Sequence, residues 1–265
     1  PPLQLDIGKT NLENFKQNGF DLISLDVNLE TMRALDRQGF LDDGQGYYGW
    51  LILIHTAVIR MAQKFNIKYV FYSEDGEVEY GGSDQKKHKQ FYDIQYMKEV
   101  YLNDKLDKTI LNAKLDKKNL YWFNFDESYD IKFTHYSYYE NWDPYRNYLY
   151  AKQHCGLIDL DEGNVGTFTN FAQNDQILAS FHYYLMYLKF GFGRATQDAG
   201  IEIRRGAMTR DQAINLVKLY DGSSPEQFFN DIAQYYRITN EKLKLTIIKH
   251  TNKSLFEIVW DEIKP

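Results

Sequence analysis

The 265-residue chain carries 31 Lys and Arg against 37 Asp and Glu, a formal net charge of -6 and a pI of about 5.6, which excludes a protein whose main task is to coat nucleic acid. A single cysteine, Cys155, excludes an internal disulfide and a zinc site built from several thiolates in this stretch. Hydrophobic residues at 43% and charged residues at 26% match ordinary globular domains, and the length allows one large domain or one domain with a sizeable appendage.

In chain order, Ile7, Leu12 and Phe15 share one face of a helix ending near Gly19, and Asp21 to Leu25 reads as a short strand. Leu29 to Phe40 is amphipathic, Tyr48 to Phe65 is a long helix apolar on most sides, and Ile67 to Tyr72 reads as a buried strand. The apolar run Trp50 to Ala62 is interrupted by His55 and Arg60 and is too short to cross a bilayer. The opening residues have no basic stretch followed by an apolar run, so no secretory signal is expected in them, and the lone cysteine fits a reducing, cytoplasmic setting. Lys86 to about Asn103 predicts a polar-faced helix, and Lys105 to Tyr129 a lysine- and aspartate-rich surface cover. Lys132 to Tyr139 predicts a strand, and Pro144 opens a helix reaching Cys155. Beyond Gly166 the periodicity is helical throughout, with capping boxes at Thr209-Arg210-Asp211-Gln212 and Ser224-Pro225-Glu226-Gln227. Helices alternating with strands predict an α/β doubly wound core with a helical carboxyl-terminal appendage.

Two segments can carry chemistry. Ser73-Glu74-Asp75-Gly76-Glu77-Val78-Glu79-Tyr80-Gly81-Gly82 follows a strand, and open α/β sheets bind ligands outside the carboxyl ends of their strands; a solvated acidic turn is the alternative. In Lys189-Phe190-Gly191-Phe192-Gly193-Arg194-Ala195-Thr196-Gln197-Asp198, glycines free the backbone, Arg194 offers a fork of donors and Thr196 can cap a helix whose amino end attracts anions. Arg204, Arg205 and Arg210 add positive charge nearby. These residues equally suit helix ion pairs, Arg194 with Asp198 at i,i+4 and Glu202 with Arg205 at i,i+3. The chain has no G-x-S-x-G, H-E-x-x-H, C-x-x-C or G-x-x-x-x-G-K-[ST] motif.

The run His182 to Thr196, continuing through Asp198, Glu202-Ile203-Arg204 and Gly206 to Thr209-Arg210, resembles the carboxyl-terminal signature of the N-acetyl sugar amidotransferases of bacterial surface-polysaccharide (lipopolysaccharide, O-antigen) and nonulosonic-acid (pseudaminic, legionaminic) pathways. So do Glu74 to Gly82, Trp142-Asp143 with Arg146-Asn147, and Gly166-Thr167-Phe168-Thr169-Asn170, in the family's order across nearly the whole chain.

The resemblance implies a Rossmann-like parallel sheet of the PP-loop ATPase (adenine nucleotide alpha hydrolase-like) type over residues 1–140 and a helical substrate-binding appendage over 141–265. It implies an ATP- and Mg²⁺-dependent conversion of an acetamido group on a nucleotide-linked sugar to an acetamidino group, with ammonia from a separate glutaminase. Glu74, Glu77 and Glu79 are then expected at the mouth of the ATP site, holding Mg²⁺ or orienting ammonia, with Asp75, Gly81 and Gly82 toward the cofactor. Lys189, Arg194, Arg204 and Arg210 are expected to converge on the sugar nucleotide, joined by Trp142 and Asp143, with Arg205 left to a surface ion pair. The family's S-G-G-x-D-S loop is not in these residues and is expected upstream of Pro1, so the stretch by itself is expected to be inactive. The alternative is a silent nucleotide-sugar-binding or scaffold protein that lacks the loop. No metal site of the protein's own, no nucleic acid and no membrane span are expected.

Overall fold

The computed structural model describes residues 2–76, 89–102, 106–259 and 262–264. The chain divides into two compact units. A central unit comprises Asp26–Gln38 and Tyr48–Asp143, and a terminal unit comprises Pro1–Leu25, Gly39–Tyr47 and Pro144–Pro265.

The central unit is organised by a three-stranded mixed sheet in the order β1-β3-β2, from β1 (Tyr69–Tyr72), β2 (Tyr92–Asp93) and β3 (Lys132–His135). β1 runs parallel to β3 with Tyr72 opposite His135, and β2 runs antiparallel to β3 with Tyr92 opposite Phe133. Side chains alternate across a strand, so Val70, Tyr72, Phe133, His135 and Tyr92 share one face. That face packs on Ile59 and Ala62 of the helix Tyr48–Lys64 and on Tyr96 and Met97 of the helical stretch 94–102. Phe133 and Ile59 are fully buried. On the other face, Tyr69 and Phe71 stay 67% and 52% exposed.

The helix Tyr48–Lys64 has no small polar residue just before it to cap its free amides. Asp36, fully buried, supplies the acceptor instead: its Oδ1 receives the Gly49 amide at 2.7 Å and the Trp50 amide at 3.2 Å. Gly49 permits this approach, because a Cβ there would lie 2.9 Å from the Leu35 Cβ.

The terminal unit is built on the apolar helix Ile177–Phe190, whose Phe181 meets Phe40 and Tyr236 in one buried aromatic group. The Tyr236 hydroxyl donates to the Gly46 carbonyl. The helices Arg194–Arg204, Arg210–Tyr220, Phe229–Tyr236 and Asn240–His250 follow, then a hairpin of β4 (Glu257–Val259) and β5 (Glu262–Lys264).

Several sequence expectations change. The sheet is small and mixed, with one parallel pair. Asp21–Leu25 is irregular; Ile23 is 68% exposed, and no ladder partner exists for the segment among the described residues. The strand near residue 70 is shorter than Ile67–Tyr72 and only half covered. Where a polar helix was expected over Lys86–Asn103, β2 precedes the helical stretch, because Tyr92 is drawn into the sheet core; Lys86 to His88 and Asn103 lie outside the described residues. The 105–129 stretch is not only surface, since Leu120 and Phe123 join the core cluster of Leu35, Ile52 and Leu53, while Lys105 is outside the described residues. The carboxyl end is a hairpin rather than helix. Thr209 and Gln212 form their capping box, but at the second proposed box Pro225 stands at the cap and no side chain caps the turn.

Replacing Asp36 by Ala strands two buried amides and is expected to cost about 1–3 kcal/mol, read as a lowered urea midpoint. An unchanged midpoint would show that the Gly49 and Trp50 amides find other acceptors.

Candidate site at the carboxyl rim of the sheet

β1 and β3 are the parallel pair, so their carboxyl ends define the side of the sheet where α/β ligands bind. The chain leaves β1 into Glu74-Asp75-Gly76, and Glu74 is exposed while Asp75 is 5% exposed. The turn folds back on the residues after β3: the Ser137 amide donates to the Glu74 carbonyl at 3.3 Å and the Ser137 hydroxyl to the Asp75 carbonyl at 2.5 Å. Gly76 has φ +67, and a Cβ there would strike the His135 ring at 2.6 Å, so glycine is needed both for its backbone angle and for the close approach. Glu77, Glu79, Gly81 and Gly82 lie outside the described residues.

Around this rim the core changes character. One turn before Ile59, the Tyr48–Lys64 helix presents His55, and β1 and β3 end in Tyr72 and His135. Burial holds both imidazoles neutral, pushing His55 and His135 down to about 4, with their mutual repulsion also acting on His55. Burial, and then the Glu74 charge, raises the Tyr72 hydroxyl. No sequence motif singles out these groups. The available signal was His55 itself, a polar ring interrupting an apolar helix. Trp142 is half-buried at the end of the same unit, its ring edge-on to Tyr136 with centroids 6.3 Å apart; Asp143 beside it is also half-buried. Elsewhere in this unit a cavity of about 540 Å³ is lined by Arg60, Lys98 and Tyr121 over an apolar floor, with no sequence-predicted residue in its wall.

The four proposed cations all belong to the terminal unit, in different settings. The Lys189 ammonium donates to the Asp43 carbonyl at 2.5 Å. Arg194 is 7% exposed and pairs with Asp198, Nε to Oδ1 at 2.8 Å, with its guanidinium 5.9 Å from the Tyr183 ring centre. Arg204 and Arg210 are exposed, and Arg204 ends the helix that Arg194 begins, roughly 15 Å away along its axis. Arg205 pairs with Glu202 at 2.6 Å, as its spacing predicts.

The amino end of that helix already holds an anion. The Asp221 carboxylate accepts the Gly193 amide at 2.8 Å, the Thr196 amide at 3.3 Å and the Thr196 hydroxyl at 2.5 Å. Tertiary structure also joins blocks far apart in sequence. Thr167 and Thr169 donate their hydroxyls to Asp198 Oδ2, and the Ala195 amide donates to the Gly166 carbonyl at 3.1 Å. Nearby His182, its ring centre 4.6 Å from that of Tyr47 and tilted 42° to it, is pushed down to about 4 by burial and then by Lys189 and Arg194.

Among the described residues no group of three or more His, Cys, Asp and Glu could hold a metal, and no helix is long and apolar enough to cross a membrane.

Two outcomes are expected. Arg194→Ala leaves the buried Asp198 charge unpaired and should lower stability by about 3–5 kcal/mol in urea unfolding. His55 and His182 titrate near pH 6.5 when unfolded and near 4 when folded, so the unfolded chain takes up protons first on acidification. Unfolding free energy should therefore be insensitive to these groups above pH 6.5 and fall between 6.5 and 4, by up to about 1.4 kcal/mol per unit for each histidine. His182→Gln should flatten that slope; a slope identical to wild type would show that the ring is already charged in the fold.

Comparison with known proteins gives one match. No curated protein matches the chain. Residues 165–264, which include Thr167, Thr169, Arg194, Asp198 and Asp221, match the family model described as LPS biosynthesis protein WbpG-like, C-terminal domain.

Proposed function

We propose that the protein is an ATP-dependent amidotransferase of lipopolysaccharide or related surface-glycan biosynthesis, converting an acetamido group of a nucleotide-linked sugar to an acetamidino group. The observation that carries this reading is the match of residues 165–264 to an LPS biosynthesis family. The resemblance of the remaining blocks to N-acetyl sugar amidotransferases supplies the reaction, and the PP-loop ATPase fold and the division into a 1–140 core and a 141–265 appendage belong to the same proposal.

The chemistry is consistent with what a sugar amide requires. An amide carbon is a poor electrophile with no good oxygen leaving group, and transfer of AMP from ATP to the carbonyl oxygen supplies one. Ammonia, delivered by a separate glutaminase, then forms the new C–N bond as the C–O bond breaks and AMP leaves with the electron pair. Glu74, exposed beyond β1, suits Mg²⁺, a hard cation that takes carboxylate oxygen together with substrate phosphates. Glu77 and Glu79 are assigned to the same task, with Asp75, Gly81 and Gly82 toward ATP.

The sugar nucleotide is assigned to Lys189, Arg194, Arg204, Arg210, Trp142 and Asp143. Arg204 and Arg210, exposed, can contact phosphate directly; Arg194 contributes by holding the amino end of its helix in place through Asp198.

The test incubates the full-length gene product with ATP, Mg²⁺, ammonium and a panel of nucleotide-linked acetamido sugars. AMP should appear in step with a product in which NH replaces oxygen by mass spectrometry. Arg204→Ala should raise KM for the sugar nucleotide about tenfold or more at moderate salt. Sugar-nucleotide binding without AMP formation would replace this reading with that of a silent binding protein.

A further inference from the structure

The apolar face of the sheet ends at its carboxyl rim in a closed circuit of five rings. Going round it, the centroid distances are 6.2 Å from His55 to Tyr72, 5.4 Å from Tyr72 to His135, 5.4 Å from His135 to Tyr92, 6.1 Å from Tyr92 to Tyr101 and 4.9 Å from Tyr101 back to His55. The four rings from Tyr72 to Tyr101 lie within 18–24° of their neighbours, whereas His55 stands across them, tilted 69° to Tyr72 and 52° to Tyr101. The fold imposes this arrangement. Tyr72 and His135 are register partners on parallel strands, Tyr92 comes from the antiparallel edge strand, and His55 and Tyr101 come from the two helical segments that cover the face.

Two polar atoms in this circuit are buried without a hydrogen-bond partner among the described residues, His55 Nδ1 and the Tyr72 hydroxyl. Buried polar groups are nearly always satisfied, so a pair of unsatisfied ones on neighbouring rings points to a guest beyond the described residues. The guest must be small, because the rings are one van der Waals contact apart. It must offer hydrogens to a neutral imidazole and a phenol oxygen, and it must gain from ring faces and from the exposed Glu74 carboxylate, whose charge is felt at Tyr72. A small cation with N–H donors meets all of these conditions, since aromatic faces attract cations within about 6 Å of their centroids.

We propose that this circuit binds a single ammonium ion, with N–H groups directed to His55 Nδ1 and the Tyr72 oxygen and the ring faces supplying the remaining attraction. Binding by itself is independent of the enzyme's reaction; its purpose rests on the amidotransferase reading. In that reaction one ammonium proton passes to solvent, while His55 Nδ1 and the Tyr72 oxygen hold the nitrogen in place. The nitrogen lone pair is then available to form the C–N bond while the C–O bond to AMP breaks. The neutrality of both imidazoles favours binding, because a charged ring would repel the guest and could not accept its hydrogen bond.

The experiment titrates ammonium chloride into the full-length protein at neutral pH, following the His55 ring resonances by ¹⁵N NMR, with sodium and potassium chloride at matched ionic strength as controls. A saturable shift with ammonium alone is expected. Tyr72→Phe, which removes only an unpartnered oxygen, should keep the wild-type urea midpoint and weaken the ammonium titration about tenfold, the value of one hydrogen bond. A shift reproduced by sodium, no saturation, or a titration unchanged in Tyr72→Phe overturns the site and leaves a buried water as its occupant. Ammonium binding without turnover on any sugar supports the site and removes the amidotransferase reading. Turnover with an ammonium KM unaltered by Tyr72→Phe overturns the site and leaves that reading in place.

Discussion

Removing the Arg194 guanidinium from water costs several kcal/mol, and much of the terminal unit is arranged to offset that cost. The partner carboxylate comes from one helical turn onward, at Asp198, but a single ion pair leaves lone pairs on the acid unmet. Thr167 and Thr169 meet them from a loop about thirty residues earlier. That loop is fixed in turn, because the Ala195 amide at the start of the helix donates to the Gly166 carbonyl. Asp221 ties the same helix end from the other side through the Gly193 and Thr196 amides. Loop, helix start and the turn after Tyr220 are thereby locked around one buried charge, and the residues concerned lie within the segment that matches the LPS biosynthesis family model.

The central unit follows a different logic, that of a hydrophobic face that runs out. Val70, Phe133, Ile59 and Met97 exclude water from the middle of the sheet. At its carboxyl rim the same stacking continues with rings that carry polar atoms. The change occurs where a parallel strand pair ends and where Gly76 lets the following turn lie against His135. A site there is shaped by packing and only afterwards by charge. Burial keeps its imidazoles neutral beside the exposed Glu74.

Much of this was legible in the amino-acid order. The helices at Tyr48–Lys64, Pro144–His154 and Ile177–Phe190 follow from apolar spacing, the Pro144 start from proline's missing amide, and the Thr209 cap from its hydroxyl and Gln212. Of the acidic, glycine-bearing segment expected after a strand, the described part, Glu74-Asp75-Gly76, does follow β1. The pairing of Glu202 with Arg205 needed nothing beyond helix geometry. These features are local, each set by residues within a turn or two of one another.

What the sequence could not decide is every question whose answer depends on a distant partner. Asp21–Leu25 has strand composition but no ladder among the described residues, and a strand is made by its neighbour rather than by its own side chains. Asp36 caps a helix that begins twelve residues after it, and Asp221 takes the helix end that composition alone offered to a phosphate. Arg194 has the same sequence spacing to Asp198 whether exposed or buried; tertiary packing, with Thr167 and Thr169 on the Asp198 carboxylate and Tyr183 beside the guanidinium, accompanies its burial. The ring circuit is the furthest from legible, since His55, Tyr72, Tyr92, Tyr101 and His135 span eighty residues and meet only because strand register and two covering segments bring them to one rim. Local order therefore determined many of the helices, caps and turns, and long-range burial decided which of their polar groups are held in the framework and which stay exposed.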